Sequence, residues 1–233
     1  MRKEEGNQHN TAAKYIKNLK HIMNFGVDLG WIPSNPTAGF ICGFKETQQV
    51  ILGPDELGRI ESRRFQIPRL ELARKMFVLQ CYTGLAYADM AKLEKIHVEQ
   101  GPDGKLWLNL RRSKTDTAIR FPLLKTAVDI IQDLSADVDI NDPRLLPTSY
   151  CNQKMNAYLK EIADLCGIQK RLTTHVGRRT MASTVLLGNG VPIETISKIL
   201  GHMKISTTQV YAKVGDKLLS KEMNQLEGRF SVK

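Results

Sequence analysis

The sequence predicts a mainly α-helical fold that carries a small antiparallel three-stranded sheet. Three observations lead there. Apolar residues recur at spacings of three and four over most of the chain. That period gives way to short β-prone runs only between residues 96 and 121. A turn sequence, Gly101-Pro102-Asp103-Gly104, separates the first two of those runs. The chain has 233 residues, of which 42% are apolar and 25% charged, enough to bury a core and too apolar for a disordered chain.

In chain order, the first helix lies within residues 1–32. Ala12, Tyr15, Ile16, Leu19, Ile22, Met23 and Leu29 recur at helical spacing, and Gly30 suits the C-cap. One apolar stripe on one helix is too little for a domain, so the chain is expected to begin partway through a small helical module. Pro33 through Gly39 cannot continue a helix, and residues 33–50 read as a linker. Residues 51–233 then form the main domain. Pro54 opens a short helix. Leu70, Ala73, Met76, Phe77 and Cys81 form the stripe of the next, which ends at Gly84. A short helix is expected around Asp89–Leu93. Strands are expected at Ile96–Val98, Leu106–Leu110 and Ile119–Phe121. Helices resume at 125–134 and 152–166, the second closed by Gly167. The next starts at Thr174 as N-cap and runs to Gly188-Asn189-Gly190. Pro192 opens a helix whose Ile193, Ile196 and Leu200 face inward, and Gly201 stops it. Shorter helices are expected at 206–213 and 217–226.

Several function classes find no support. No apolar run approaches the ~20 residues that span a bilayer, and the polar start MRKEEGNQHN is no signal peptide. Cys42, Cys81, Cys151 and Cys166 are widely spaced and read as reduced thiols of a cytosolic protein. His9, His21, His97, His175 and His202 are not clustered at metal spacing, and the metalloprotease, P-loop, dinucleotide and serine-hydrolase motifs are absent. No cofactor or metal is therefore expected.

The net charge of +10 points to a polyanion, and nucleic acid is the obvious one. Residues 104–125 hold Lys105, Arg111, Arg112, Lys114, Arg120 and Lys125 against a single acid, Asp116. Residues 168–181 hold Lys170, Arg171, Arg178 and Arg179 with no acid. Such one-sign stretches read as a phosphate-binding face.

Three groups can carry chemistry on a phosphate. His175 and Arg178 stand three apart at a helix start and project from one face, where an imidazole and a forked guanidinium can grip an anion with help from helix N-terminal N–H groups. Alone, such a pair is more often a surface His beside an Arg. His202 follows a helix end, and nine residues later Tyr211 offers a phenol able to attack a phosphodiester. A lone Tyr is more often a packing residue. Lys114 sits between two expected strands, where its ammonium can protonate a leaving oxygen, although a solvated hairpin tip is the common fate of such lysines.

Taken in order, Lys114, His175-x-x-Arg178, Leu200-Gly201-His202 and Tyr211 resemble the tyrosine recombinase (phage integrase) family, over about residues 51–220. Tyr82-Thr83-Gly84-Leu85-Ala86-Tyr87-Ala88-Asp89 is similar to the family's first box, with Asp89 at its acidic position. Residues 10–32 resemble the last helix of the family's core-binding domain, so the chain looks like a catalytic domain preceded by part of a DNA clamp. The resemblance implies a site-specific DNA recombinase that cuts and rejoins strands through a 3′-phosphotyrosyl intermediate. Tyr211 is the implied nucleophile and Lys114 the implied acid. Arg178, His175 and His202 are the implied phosphoryl ligands, and Arg111, Arg120, Arg171 and Arg179 are expected to contact DNA. It also implies double-stranded DNA at specific sites as partner, a monomer that assembles as a homotetramer on DNA, accessory DNA-bending proteins, no membrane, and a bacterial cytoplasmic, nucleoid-associated location. The tail, apolar on one face through Leu218, Leu219, Met223 and Leu226, suits docking on a neighbouring subunit or on its own core.

One position departs from the family pattern. The arginine expected after Thr-Gly-Leu is Ala86, as in a subgroup of recombinases on mobile elements that TGLAYAD resembles. Arg112 is the first candidate to replace it, because in an extended segment it shares a face with Lys114 while Arg111 points away. Arg120 on the partner strand is the second. A catalytically impaired DNA-binding relative and a type IB topoisomerase-like enzyme are the competing readings.

Overall fold

The computed structural model describes residues 9–41, 43–45, 49–147, 150–211, 223, 224 and 227. The chain divides into two units, residues 1–48 and 49–233. The first contains α1 (His9–Asp28), which ends before Gly30 at φ 72°. Its stripe residues Tyr15, Leu19 and Ile22 are exposed, and only Ala13 and Gly26 of the helix are buried.

The second unit is built around one helix. It comprises α2 (Pro54–Ser62), α3 (Pro68–Thr83), α4 (Tyr87–Met90), the strands β1 (Val98–Gln100), β2 (Leu106–Arg111) and β3 (Ala118–Pro122), then α5 (Lys125–Ser135), α6 (Asn152–Leu165), α7 (Thr174–Thr180), α8 (Ile193–Leu200) and α9 (Ser206–Gln209). α3 is buried on nearly every side and packs against α2, α5, α6 and α7. Its apolar run Met76-Phe77-Val78-Leu79 surrounds the helix axis, as expected of a helix enclosed by others. The one-sided stripe read from sequence captured only part of it.

The sheet is antiparallel in the order β1-β2-β3, with Val98 opposite Leu108 and Leu110 opposite Ile119. The expected first strand, Ile96–Val98, is displaced. Lys95–His97 form a 3₁₀ turn, closed by Glu94 N–H donating to His97 Nδ1 at 2.9 Å, and pairing starts at Val98. Leu108, Leu110, Ile119 and Phe121 face the core, and β3 packs on α8.

The helix expected from Thr174 to Gly188 changes character midway. After α7 the backbone widens into a π-helical stretch, Met181–Leu186, then tightens through Leu187–Asn189. The Leu52 N–H donates to Thr180 Oγ1 at 3.1 Å, and Thr184 Oγ1 donates to Leu52 O at 2.5 Å. The segment before α2 is thereby strapped across that irregular turn. The first of the two expected tail helices shrinks to α9, and the second, 217–226, lies outside the described residues apart from Met223 and Asn224.

Candidate active site

Two helix ends supply the acceptors around which the site is built. α3 stops at Gly84 (φ 64°) and α8 at Gly201 (φ 61°). Both turns need glycine for backbone sign and for space. A Cβ at Gly84 would lie 2.5 Å from Met181 Sδ, and one at Gly201 would lie 2.7 Å from both Arg112 Cδ and Ile119 Cγ2. The carbonyls at such ends lack helical donors and carry the negative end of the helix dipole. Arg178, from α7 and 5% exposed, fills that deficit. Its guanidinium donates to Gly84 O, to Leu200 O at 2.6 Å and to His202 Nε2 at 3.2 Å.

Arg112 converges on the same carbonyl. It is the residue after β2 and continues the inward alternation of Leu108 and Leu110. It is 8% exposed, donates to Leu200 O, and pairs through Nε with Asp89 Oδ2 at 3.2 Å. Asp89, 4% exposed on α4, also accepts the Ser113 N–H at 2.8 Å. The TGLAYAD segment thus anchors the β2–β3 hairpin. The extended stretch expected through Lys114 is absent: β2 ends at Arg111, and Ser113–Thr115 form a turn that leaves Lys114 exposed. Asp89 and the Leu200 carbonyl, and not a shared strand face with Lys114, hold Arg112 inward. Arg120 lies on the opposite face of the sheet, paired with Glu99 at 2.8 Å and stacked over the Trp107 ring at 4.7 Å, so it does not reach this cluster. Arg111 faces outward and pairs with Asp116 at 3.2 Å.

His202 and Tyr211 complete the constellation. A guanidinium only donates hydrogen bonds, so His202 Nε2 accepts from Arg178 and the ring proton is assigned to Nδ1. Nδ1 lies 2.8 Å from Thr208 Oγ1. Thr208 is wholly buried, and its carbonyl accepts the Tyr211 N–H at 2.9 Å. Tyr211 therefore sits in the turn after α9, not inside the helix expected over 206–213. Its ring lies 6.3 Å from that of His202 with the planes 23° apart. Sequence reasoning passed over Thr208, whose only sequence signal is its place between His202 and Tyr211.

Crowded positive charge sets the electrostatics. Burial, then the neighbouring Arg112 charge, pushes Arg178 down to about 10, and Tyr211 and Asp89 oppose the shift. Burial and the charges of Arg178 and Arg112 push His202 down to about 4. His175 is also lowered, by burial and then by Arg179, Arg178 and Lys114. Both imidazoles are consequently neutral near pH 7. Among the described residues of the cluster, two buried guanidinium groups face one buried carboxylate. That surplus makes the site a receptor for an anion. Beside it, a cavity of about 350 Å³ is lined by Ala86, Tyr87, Ala88, Asn152, Thr174, His175 and Arg178. Two of the N–H groups at the start of α7 are committed within the fold: Thr174 N–H donates to Asn156 Oδ1 and Val176 N–H to Thr173 O, both at 2.9 Å. The N-cap is Thr173 rather than Thr174.

The basic stretches are less uniform in space than in sequence. Arg120 pairs with Glu99, Lys125 with Asp129 and Lys170 with Glu56. Arg171 is exposed and Arg179 half-buried, and like Lys114 they have no carboxylate partner among the described residues. No group of side chains among the described residues could hold a metal ion, and no described helix is long and apolar enough to cross a membrane.

Comparison with known proteins gives the family and the fold. The phage integrase family model covers residues 67–217. Tyrosine recombinase XerD of Listeria innocua is 26% identical over 231 residues, spanning 91% of this chain and 74% of the relative. The crystal structure of XerA recombinase superposes with a TM-score of 0.61 at 24% identity, covering 78% of this chain and 66% of that one. The Tn1549 transposon integrase bound to transposon right end DNA superposes with a TM-score of 0.71 at 16% identity, covering 97% of this chain and 82% of that one. The family model covers more than half the sequence, and the two solved structures share the chain's fold. The chain belongs to the phage integrase family, the tyrosine-type site-specific DNA recombinases.

Proposed function

We propose that this chain cleaves and rejoins DNA strands at specific recombination sites, with Tyr211 as the nucleophile. The observation that carries this reading is the convergence of Arg178 and Arg112 on one carbonyl beside His202 and Tyr211, with positive charge in excess. The Tyr211 phenol oxygen attacks the scissile phosphorus and loses its proton. The bond to the 5′-oxygen breaks, and Lys114, on its exposed hairpin turn, protonates that leaving oxygen. The products are a 3′-phosphotyrosyl link and a free 5′-hydroxyl. Attack by another 5′-hydroxyl reverses the exchange, so the number of phosphoester bonds is conserved and no nucleotide is hydrolysed. Arg178 and Arg112 supply fixed charge to the equatorial oxygens, where each donor is worth about 3–4 kcal/mol in the transition state. His175 and His202, being neutral, serve as hydrogen-bonding groups and proton acceptors.

Arg112 takes the part of the arginine missing at Ala86, and TGLAYAD resembles the first box of a subgroup on mobile elements that shares this loss. Residues 1–32 belong to a DNA-clamping helical domain, 33–50 to a linker and 51–233 to the catalytic domain. Arg171, Arg179, Arg111 and Arg120 contact backbone phosphates, so binding weakens steeply with salt. Recombination joins four protomers on two duplexes, with accessory DNA-bending proteins. A duplex nicked near the cleavage site tests the proposal, because the short released fragment diffuses away and traps the adduct. Wild-type protein should accumulate a covalent protein–DNA species that Tyr211→Phe cannot form while still binding DNA. An adduct from Tyr211→Phe would sink the assignment. DNA binding without any wild-type adduct would mark a binding-only relative, and supercoil relaxation by a monomer without paired sites would mark a topoisomerase-like enzyme.

A further inference from the structure

We propose that Thr208 is a positioning residue whose hydroxyl holds the His202 ring in one orientation while the ring changes its hydrogen-bonding state; the proposal rests on the recombinase reading above. The geometry that points to it is a chain of contacts through one buried side chain. Thr208 Oγ1 meets His202 Nδ1 at 2.8 Å, and the other ring nitrogen meets Arg178 at 3.2 Å. In the free protein Nε2 must accept, because Arg178 has only hydrogens to offer. To serve an incoming phosphoryl oxygen, Nε2 must instead donate. That switch moves the proton balance of the ring, and Nδ1 becomes an acceptor in the neutral tautomer or stays a donor in the imidazolium. A hydroxyl is suited to both, since it accepts from Nδ1–H and, after rotating, donates to bare Nδ1. A carbonyl or a carboxylate in that place would admit only one of these states.

The groups facing His202 come from several elements: Arg178 and His175 from α7, Arg112 from the hairpin, and Tyr211 from the turn after α9. All three charged or ionisable neighbours from α7 and the hairpin disfavour positive charge on the ring, and among the described residues Thr208 is the hydrogen-bond partner at Nδ1. Thr208 reaches Tyr211 as well, but through its backbone carbonyl. Replacing the side chain by Val therefore removes the hydroxyl and leaves that backbone contact in place. The two effects of the residue are separable by design.

The test compares Thr208→Val with Thr208→Ser. Single-turnover cleavage of nicked duplex is measured at saturating DNA, and the ¹⁵N shifts of the His202 ring are recorded in the free protein. Thr208→Val should cleave at least tenfold more slowly with duplex affinity unchanged, and Thr208→Ser should stay within about threefold of wild type. The wild-type ring should carry its proton on Nδ1, and Thr208→Val, in which Arg178 still faces Nε2, should keep that tautomer while its Nδ1 resonance shifts on losing the hydrogen bond to Oγ1. If Thr208→Val does not fold, Thr208→Ala is read in its place. Wild-type cleavage by the hydroxyl-free variant, an equal defect in Thr208→Ser, or an Nε2-protonated ring in the free wild type would each overturn the proposal. If wild-type protein forms no adduct at all, the recombinase reading fails, and the ring shifts alone still decide whether Thr208 orients His202.

Discussion

Arg112→Met is the perturbation that most directly probes how this site is held. The change keeps an unbranched apolar stem and removes the guanidinium with its charge. It leaves Asp89, 4% exposed, with the Ser113 N–H on one oxygen and no cation on the other. Breaking a buried ion pair from one side costs about 3–5 kcal/mol. The lower end applies here, because Arg178 remains near enough to Asp89 for the two charges to interact. For a unit of this size each kcal/mol moves the unfolding midpoint by roughly 2–4 °C. Arg112→Met should therefore melt roughly 10 °C lower than wild type. Adding Asp89→Asn removes the stranded carboxylate and should recover most of that loss. Cleavage should behave differently. At saturating nicked DNA, Arg112→Met should be slower by about 10²–10³, as for the loss of one oxyanion donor, and Asp89→Asn should not restore it. Differential scanning calorimetry and single-turnover cleavage on the same two variants separate the effects. A double variant that cleaves like wild type would reduce Arg112 to a counter-ion of Asp89, and an unchanged midpoint in the single variant would refute the buried pair itself.

Other consequences can be checked alongside. Lys114→Ala should cripple cleavage of an ordinary phosphodiester but not of one with a 5′-bridging sulfur, which leaves without a proton; equal defects on both substrates would remove Lys114 from the acid role. His202 has a folded-state value of about 4 against 6.5 unfolded, so its neutral form stabilises the fold fully above pH 6.5. That contribution is lost as pH falls from 6.5 toward 4. Urea unfolding of His202→Asn should show a shallower acid loss than wild type across that window, and identical slopes would contradict the buried, cation-crowded ring. Gly201→Ala places a methyl against Arg112 and Ile119 at a positive φ, and it should lower both the melting point and the cleavage rate. Unchanged cleavage would show that Arg112 tolerates displacement.

Much of the fold is written in local pattern. Gly84, Gly167, Gly190 and Gly201 all take positive φ where the sequence placed helix ends, and Pro54 opens α2. The alternation in β2 and β3 and the turn at Gly101–Gly104 announced the sheet. Those features are legible because each depends on backbone sterics or on a repeat a few residues long. The order of Lys114, His175, Arg178, His202 and Tyr211 was legible for another reason: a rare combination at fixed spacing resembles a known family. Where Arg112 points was not readable in the same way. Its orientation depends on Asp89, 23 residues earlier, and on the Leu200 carbonyl, 88 residues later. The strand-parity argument expected Arg112 to share an inward face with Lys114; Arg112 does face inward, but Lys114 lies beyond the end of the strand. Arg120 stays away from the cluster because Glu99 and Trp107 hold it, and the Thr174 N–H is taken by Asn156; such competition exists only once the chain is folded. Thr208 is the limiting case. By itself it is a short polar residue in a helix of four, and only the return of α8 beside it turns its hydroxyl into the partner of an imidazole. The sequence alone determined which groups the chain carries and where its helices and strands break, since those depend on neighbours in the chain. Tertiary structure alone decided which of those groups share one buried carbonyl, because charge, burial and hydrogen bonding act through space between residues far apart in sequence.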